Sequence, residues 1–339
     1  MISIRIRWSL WFAVLGTPFQ LLAGDYANAF LEIGVGARAL AMGSSFCSLA
    51  DDGTAFYWNP AGLAFIKRTK VSGMYGNQFG SLTSPMGNYH YLGIAAPLSG
   101  SVVLAANWIR LAVDGIPVYA SLEGRSYFDR LHDPSFRPSG EPDGSIADIE
   151  DALFFSFAKL NQWEWDLGWM YHRVRLEIPV GMNLKFIRQS LGSGSASGIG
   201  VDLGTVLRLH LDDLFQDEKW GILSWGIHLQ DLTRTSMNWN TKHQDPIPVN
   251  VKWGFSYRQP LPIENNAVSI SYDRDSRWNG LHHVGLEYDG FGVFGLRAGF
   301  EGKHFTIGAG VRFWVIGIDY AFLSHELDSL HRISCSVSL

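Results

Sequence analysis

The chain runs to 339 residues, of which 17% are charged and 14% aromatic, with 13 Trp, 21 Phe and a formal net charge of −5. Charge this sparse, against roughly 25% in ordinary soluble domains, means that the chain buries unusual amounts of surface or faces lipid. The acidic balance excludes a nucleic-acid partner, which calls for a basic stripe.

At the N-terminus, Arg5 and Arg7 precede an apolar run from Trp8 to Leu22, broken by Thr17 and Pro18 and followed by the small pair Ala23-Gly24. Basic, then apolar, then small is the layout of an export signal, read here as residues 1–24. Pro18 and the short run argue against a spanning helix, which needs about 20 apolar residues. Cys47 and Cys335 are too few for a disulfide framework, and neither sits at the signal's end, where a lipid anchor would attach.

Residues 25–70 follow as one block. Its segments Gly34–Gly43 and Ala50–Ala64 are packed with Gly and Ala, and Ser44, Ser45 and Ser48 lie between them. Backbone of this kind can press closely against other structure, but it cannot build a core by itself. It reads as a hatch threaded into a host. Within it, Asn59-Pro60 predicts an N-cap followed by proline at the first helical position, opening a short helical turn. Asp51 and Asp52 are adjacent carboxylates in a turn, read as solvated or capping rather than as a cation site. Arg38 is a lone cation in a small-residue segment, and a buried charge needs a partner.

From residue 71 to residue 339 the sequence alternates with period two, the mark of strands with two unlike faces. Val180, Met182, Leu184 and Phe186 oppose Gly181, Asn183 and Lys185; Phe294, Leu296, Ala298 and Phe300 oppose Gly295, Arg297, Gly299 and Glu301. The pattern predicts about fourteen strands, near 71–79, 88–98, 101–113, 150–160, 178–190, 197–210, 221–231, 247–259, 265–274, 280–289, 291–301, 303–313, 314–322 and 329–339. A soluble sandwich would turn the apolar face inward and a transmembrane barrel would turn it outward. Strand length, the aromatic apolar face and loop parity favour the barrel. With the first strand running outward, the short connections at Leu98–Ser101, Gly290 and Arg312–Trp314 fall on the inner side, and the long one, Asp114–Ile149, on the outer side. That long connection holds Tyr119, Tyr127, Phe128 and Phe136 and reads as a folded cap or a protein-contacting loop. Two inner connections break the rule: Asn161–Glu177, taken as an insertion, and the acidic link His210–Trp220. The last strand alternates to Leu339, which calls for a partner strand to close against.

The fold class is therefore all-β: a transmembrane antiparallel β-barrel of about fourteen strands, with the hatch in its lumen. The lumen faces carry the candidate charges Lys185, Glu287, Arg297, Glu301, Arg312 and Asp319. Arg38 is expected to pair with Glu287, Asp289, Glu301 or Asp319, and the sequence does not choose among them. His282 and His283 are strand neighbours pointing to opposite faces, so they do not chelate one metal. No residue set has metal spacing or a hydrolase signature, so neither a metal, a cofactor nor an enzymatic activity is expected.

The block Phe30–Gly43, the steps Ala50-Asp51-Asp52-Gly53 and Trp58–Leu63, the strand Gly181–Leu191, and the stretches Ile318–Phe322 and His331–Ser334 resemble the PorV/PorQ group of outer-membrane proteins, whose barrels are similar to the FadL type. The resemblance spans nearly all of the chain after the signal. It implies a monomeric barrel in the outer membrane of a Gram-negative bacterium, with outer-membrane lipid as its surroundings. It also implies one of two roles. PorV-type proteins carry proteins exported by the type IX secretion system at the cell surface, so the partners would be secreted cargo proteins. FadL-type proteins pass a hydrophobic ligand inward by diffusion, with a hatch rearrangement and a side opening in the wall.

Overall fold

In a computed structural model of the chain, the structure describes residues 29–81, 84–98, 101–119, 126, 142–168, 173–277, 281–326 and 329–339. The export signal and most of the long outer connection, with Tyr127, Phe128 and Phe136, lie outside the described residues.

Eighteen strands form one antiparallel sheet among the described residues. In chain order the first group is β1 Lys70–Ser81, β2 Ser84–Pro97, β3 Val102–Val118, β4 Gly144–Lys159, β5 Gln162–Asp166 and β6 Arg173–Glu177. The second is β7 Val180–Leu191, β8 Gly194–His210, β9 Ile222–Gln230, β10 Ser236–Trp239, β11 Gln244–Pro246 and β12 Asn250–Pro260. The third is β13 Ala267–Asp275, β14 His282–Gly290, β15 Phe294–Glu301, β16 His304–Phe313, β17 Ile316–Leu323 and β18 Leu330–Ser338. Four of these, β5, β6, β10 and β11, stand outside the ring, because β4 pairs directly with β7 and β9 directly with β12. The other fourteen form a closed barrel, sealed where β18 pairs with β1 from Lys70↔Ser338 to Gly76↔Arg332.

The alternation sorts the two faces. Val180, Met182, Leu184 and Phe186 are exposed on the outside of β7, while Gly181, Asn183 and Lys185 are buried on its inside. Ile333 is outward on β18 and Arg332 is fully buried. A cross-strand row of outward charge, Arg110↔Asp151↔Arg188, bounds the apolar belt on its outer side. Lys159 bounds it on the inner side. Asp151 to Lys159 covers roughly 20 Å of height at ~3.3 Å per residue and a tilt near 40°, which suits the outward apolar band of an outer-membrane barrel. No described helix is long and apolar enough to cross a membrane.

Several expectations are refined. The 161–177 insertion is a hairpin, β5–β6, and it does not alter the even strand count because it hangs below the ring. The outer connection is shorter than Asp114–Ile149, since β3 runs on to Val118 and β4 starts at Gly144, with a register shift between Val113 and Ile116. The strand expected at 314–322 begins at Ile316, because Trp314 takes positive φ in the turn before it. Part of the His210–Trp220 link is a helical turn, α3, Leu211–Phe215, numbered after the two hatch helices below. Both cysteines are free, Cys47 buried and Cys335 exposed.

Candidate functional site: an ion-paired hatch between two vestibules

Residues 29–66 fill the barrel. They form a 3-10 turn Ala29–Glu32, helix α1 Ala37–Ala41, helix α2 Ala55–Trp58 and a 3-10 helix Pro60–Phe65. Phe30, Leu40, Phe46, Phe56 and Leu63 are buried, and so is nearly every Ala between them. The small residues work as the sequence predicts, and the wall matches them with its own glycines. A Cβ on Gly299 would sit 2.3 Å from the Gly43 nitrogen and the Met42 carbonyl carbon. One on Gly204 would sit 2.2 Å from Asn59 Oδ1. At Gly299 backbone therefore lies directly on backbone, and at Gly204 the wall leaves room for the Asn59 and Pro60 side chains, which only glycine allows.

Asn59-Pro60 forms the predicted cap. Asn59 Oδ1 accepts from the Ala61 N–H at 3.2 Å, and Pro60 opens the 3-10 helix. The same Asn59 is fully buried, and its Nδ2 donates to the carbonyls of Cys47 and of Thr205 on β8, each at 3.0 Å. The step is an anchor welded to the wall. Other wall-to-hatch bonds surround the plug: Asn183 Nδ2 donates to the Phe56 carbonyl at 2.7 Å, and Ser271 Oγ to the Ser45 carbonyl at 2.9 Å. Thr306 Oγ1 donates to the Ala41 carbonyl at 2.8 Å, and the Ala37 N–H donates to Ser334 Oγ at 2.8 Å.

Among the described residues, ion pairs tie the hatch to the wall at two places. In the first, Arg38 Nε and Nη2 donate to the two oxygens of Glu287 at 2.8 and 2.7 Å, a bidentate fork. Its Nη1 reaches Asp51 at 2.5 Å and Asp52 at 3.3 Å. Glu287 is shared with Arg297 at 2.7 Å, and Arg297 reaches Asp319 at 2.6 Å. Of the four carboxylates open to Arg38, Glu287 is the partner. Glu301 instead accepts from Ser44 Oγ at 3.1 Å, and Asp289 takes Arg258 at 2.8 Å and Arg312 at 3.3 Å. Asp51 and Asp52 are thus neither free nor merely solvated, although Asp52 also holds the Thr54 N–H at 2.8 Å as a local cap. Burial works to raise the Asp51 carboxyl and to lower Arg38. For each the opposite charge prevails, so Asp51 ends below the usual carboxylate range and Arg38 well above its ordinary value.

The second tie is a chain that the sequence reading did not assemble. Lys185 bridges Asp202 at 2.9 Å and Asp231 at 2.8 Å. Asp231 also takes Arg277 at 3.4 Å, and Arg277 reaches Glu32 of the hatch at 2.8 Å. Only Lys185 of these was singled out in the sequence. The lumen parity of Asp202 was readable; Asp231 fell at the end of the strand expected at 221–231 with outward parity, and positive φ after β9 turns it inward, while Arg277 lies in a connection that carried no signal.

The hatch divides the lumen. Toward the outside lies a cavity of about 610 Å³ whose floor is Leu31, Ile33, Tyr57 and Trp58 and whose walls include Lys252, Asp273, Asp275 and Arg277. Toward the inside, a smaller cavity of about 120 Å³ touches Arg38, Asp52, Arg312 and Asp319. His210, Asp212 and Asp213 below the inner rim come close enough to suit a metal ion. Arg175 already occupies both carboxylates, at 3.2 and 2.6 Å.

A charged, plugged interior behind an apolar outer face inverts the layout of a soluble β-protein. The chain is an outer-membrane β-barrel. No family model matches it, and no curated protein matches it, so the PorV/PorQ likeness rests on the quoted residues alone. Solved structures that it resembles include a FadL homologue of Pseudomonas aeruginosa, at 10% identity and TM-score 0.41 over 88% of this chain and 96% of that one. Another is the KdgM porin in complex with disordered oligogalacturonate, at 7% and 0.32 over 80% and 99%. A third is the translocator domain of the autotransporter NalP from Neisseria meningitidis, at 12% and 0.34 over 80% and 88%. Likeness of this size carries no statement about ligand or role.

Proposed function

We propose that this barrel is a closed carrier at the cell surface, which holds or assists proteins exported by the type IX secretion system, as its resemblance to the PorV/PorQ group implies. The observation that carries the reading is the seal. The hatch is tied to the wall through Arg38–Glu287 and through Glu32–Arg277, and every ring strand is hydrogen-bonded to both neighbours, with β18 closing on β1. A lumen closed in this way offers binding surfaces in place of a conduit. The surface that cargo meets is the outer one: the outward-opening cavity and the β3–β4 hairpin, which rises past the Arg110–Asp151 row. In this role no bond is made or broken and no cofactor is used. Deleting the gene in its host tests the reading. Proteins exported by that system should accumulate in the periplasm, and normal surface delivery would contradict it.

One observation favours a second reading, a FadL-type diffusion channel for hydrophobic small molecules. The floor of the outer cavity is apolar, with Leu31, Ile33, Tyr57 and Trp58. Passage would require the hatch to leave its ion pairs. Uptake of a labelled long-chain fatty acid that depends on the gene, alongside normal surface delivery, would select this reading.

A further inference from the structure

The β5–β6 hairpin has two unlike faces. Trp163 and Trp165 are 65% and 57% exposed on one of them. Glu164 occupies the other face and pairs with Arg173 at 3.0 Å. The side bearing Arg175 is bolted to α3, where Arg175 Nε reaches Asp213 at 2.6 Å and its backbone N–H donates to the same carboxylate at 3.1 Å. The hairpin therefore has a fixed orientation, and the direction in which its tryptophans point is set by pairing. Trp163 pairs with Leu176, Leu176 with Leu209 of β8, Leu209 with Leu223 of β9, Leu223 with Tyr257 of β12, and Tyr257 with Ile270 of β13. Residues opposite one another in a ladder share a face. This is one unbroken outward row, and it ends at Ile270, 55% exposed in the apolar belt.

We infer that the β5–β6 hairpin is an interfacial foot, with Trp163 and Trp165 seated among the phospholipid headgroups of the inner leaflet. The row above makes this face a continuation of the lipid-facing belt. Lys159, outward and exposed on β4, marks where the hydrocarbon ends, four residues before Trp163. Tryptophan is the side chain that prefers this zone, its ring amphipathic and its indole N–H able to meet headgroup oxygens. The other inner connections are apolar too, with Leu98, Ile263 and Phe291 exposed there, and two of them present further tryptophans, Trp220 and Trp314. The foot is thus part of an inner girdle. It stands independently of whether the barrel carries cargo or admits a ligand.

The test uses the whole protein refolded into vesicles of phosphatidylethanolamine and phosphatidylglycerol. In a Cys335→Ser background, which leaves only the buried Cys47, Trp165→Cys and Glu164→Cys are each labelled with a nitrobenzoxadiazole dye, with Trp163→Cys as a second probe of the tryptophan face. Folding of each variant is checked by its heat-modifiable gel mobility. With phospholipid brominated near the headgroup, the dye at 165 or 163 should be quenched about twofold or more, and the dye at 164 should not. Equal, water-like behaviour of both faces would overturn the inference. So would shielding of position 165 that appears only when periplasmic protein is added, since the occupant would then be a protein.

Discussion

Removing the carboxylate of Glu287 is the sharpest perturbation of the hatch. Its side chain is fully buried and receives Arg38 at 2.7 and 2.8 Å and Arg297 at 2.7 Å. Breaking one side of a buried ion pair costs about 3–5 kcal/mol, because the remaining charge is left without its partner. In Glu287→Ala, Arg38 keeps Asp51 and Asp52, and Arg297 keeps Asp319, so the lower end applies. About 3 kcal/mol corresponds to an opening of the hatch on the order of 100-fold more frequent. The loss of the Arg38 fork falls on the hatch; the wall loses the Glu287–Arg297 pair but keeps the β14–β15 ladder that joins those two strands. Hydrogen exchange read by mass spectrometry should show the peptide around Leu40–Ser45 exchanging on the order of 100-fold faster while the β7 and β8 peptides keep their protection. Unchanged exchange at Leu40–Ser45 would refute the claim that this ion pair holds the hatch. Equal acceleration everywhere would show that it holds the barrel instead.

Gly299→Ala should push the Met42–Gly43 backbone off β15, costing about 1–3 kcal/mol of hatch docking and leaving the heat-modifiable barrel band intact; a hatch with native exchange in this variant would disprove the close approach. Asn59→Asp keeps the acceptor for the Ala61 N–H but loses the donor to the Cys47 and Thr205 carbonyls. It should therefore destabilise the hatch more than Asn59→Ala does, by the cost of a buried unpaired charge, as ranked by the same exchange assay. For pH, the folded Asp51 carboxyl lies below its unfolded value. Its contribution is complete above the ordinary carboxylate range near ~3.9 and is lost as pH falls through the lowered folded value. Hatch protection, corrected for intrinsic exchange, should hold from neutral pH down to about 5 and fall only in strong acid; a loss centred between pH 6 and 7 would point to a histidine instead.

Most of the wall was legible because a barrel strand repeats a two-residue rule that survives local noise. Val180, Met182, Leu184 and Phe186 face out and Lys185 faces in, as read from the sequence. The smallness of Gly34–Gly43 likewise announced a segment that packs backbone to backbone. What parity cannot supply is distance round the ring. Glu287, Asp289, Glu301 and Asp319 all face the lumen, and only closure of the barrel and the docking of α1 bring Glu287 to Arg38. The same gap hid the Lys185–Asp231–Arg277–Glu32 chain, half of which sits in connections. The hairpin β5–β6 was ambiguous because its five-residue strands alternate like the wall, and only the direct β4–β7 ladder shows that they lie outside it. The extensions of β3 to Val118 and of β4 back to Gly144 were missed because the alternation is interrupted after Val113, where Asp114 and Gly115 lie between the paired residues Val113 and Ile116. The chain absorbs them in a register shift.

The central claim is that an ion-paired hatch closes a fourteen-stranded lumen, and planar-bilayer conductance tests it most directly. The full-length protein should show no steady open state, whereas the chain lacking residues 29–66, still heat-modifiable as a folded barrel, should conduct continuously. A steady conductance of the intact protein equal to that of the hatch-deleted barrel would contradict the account.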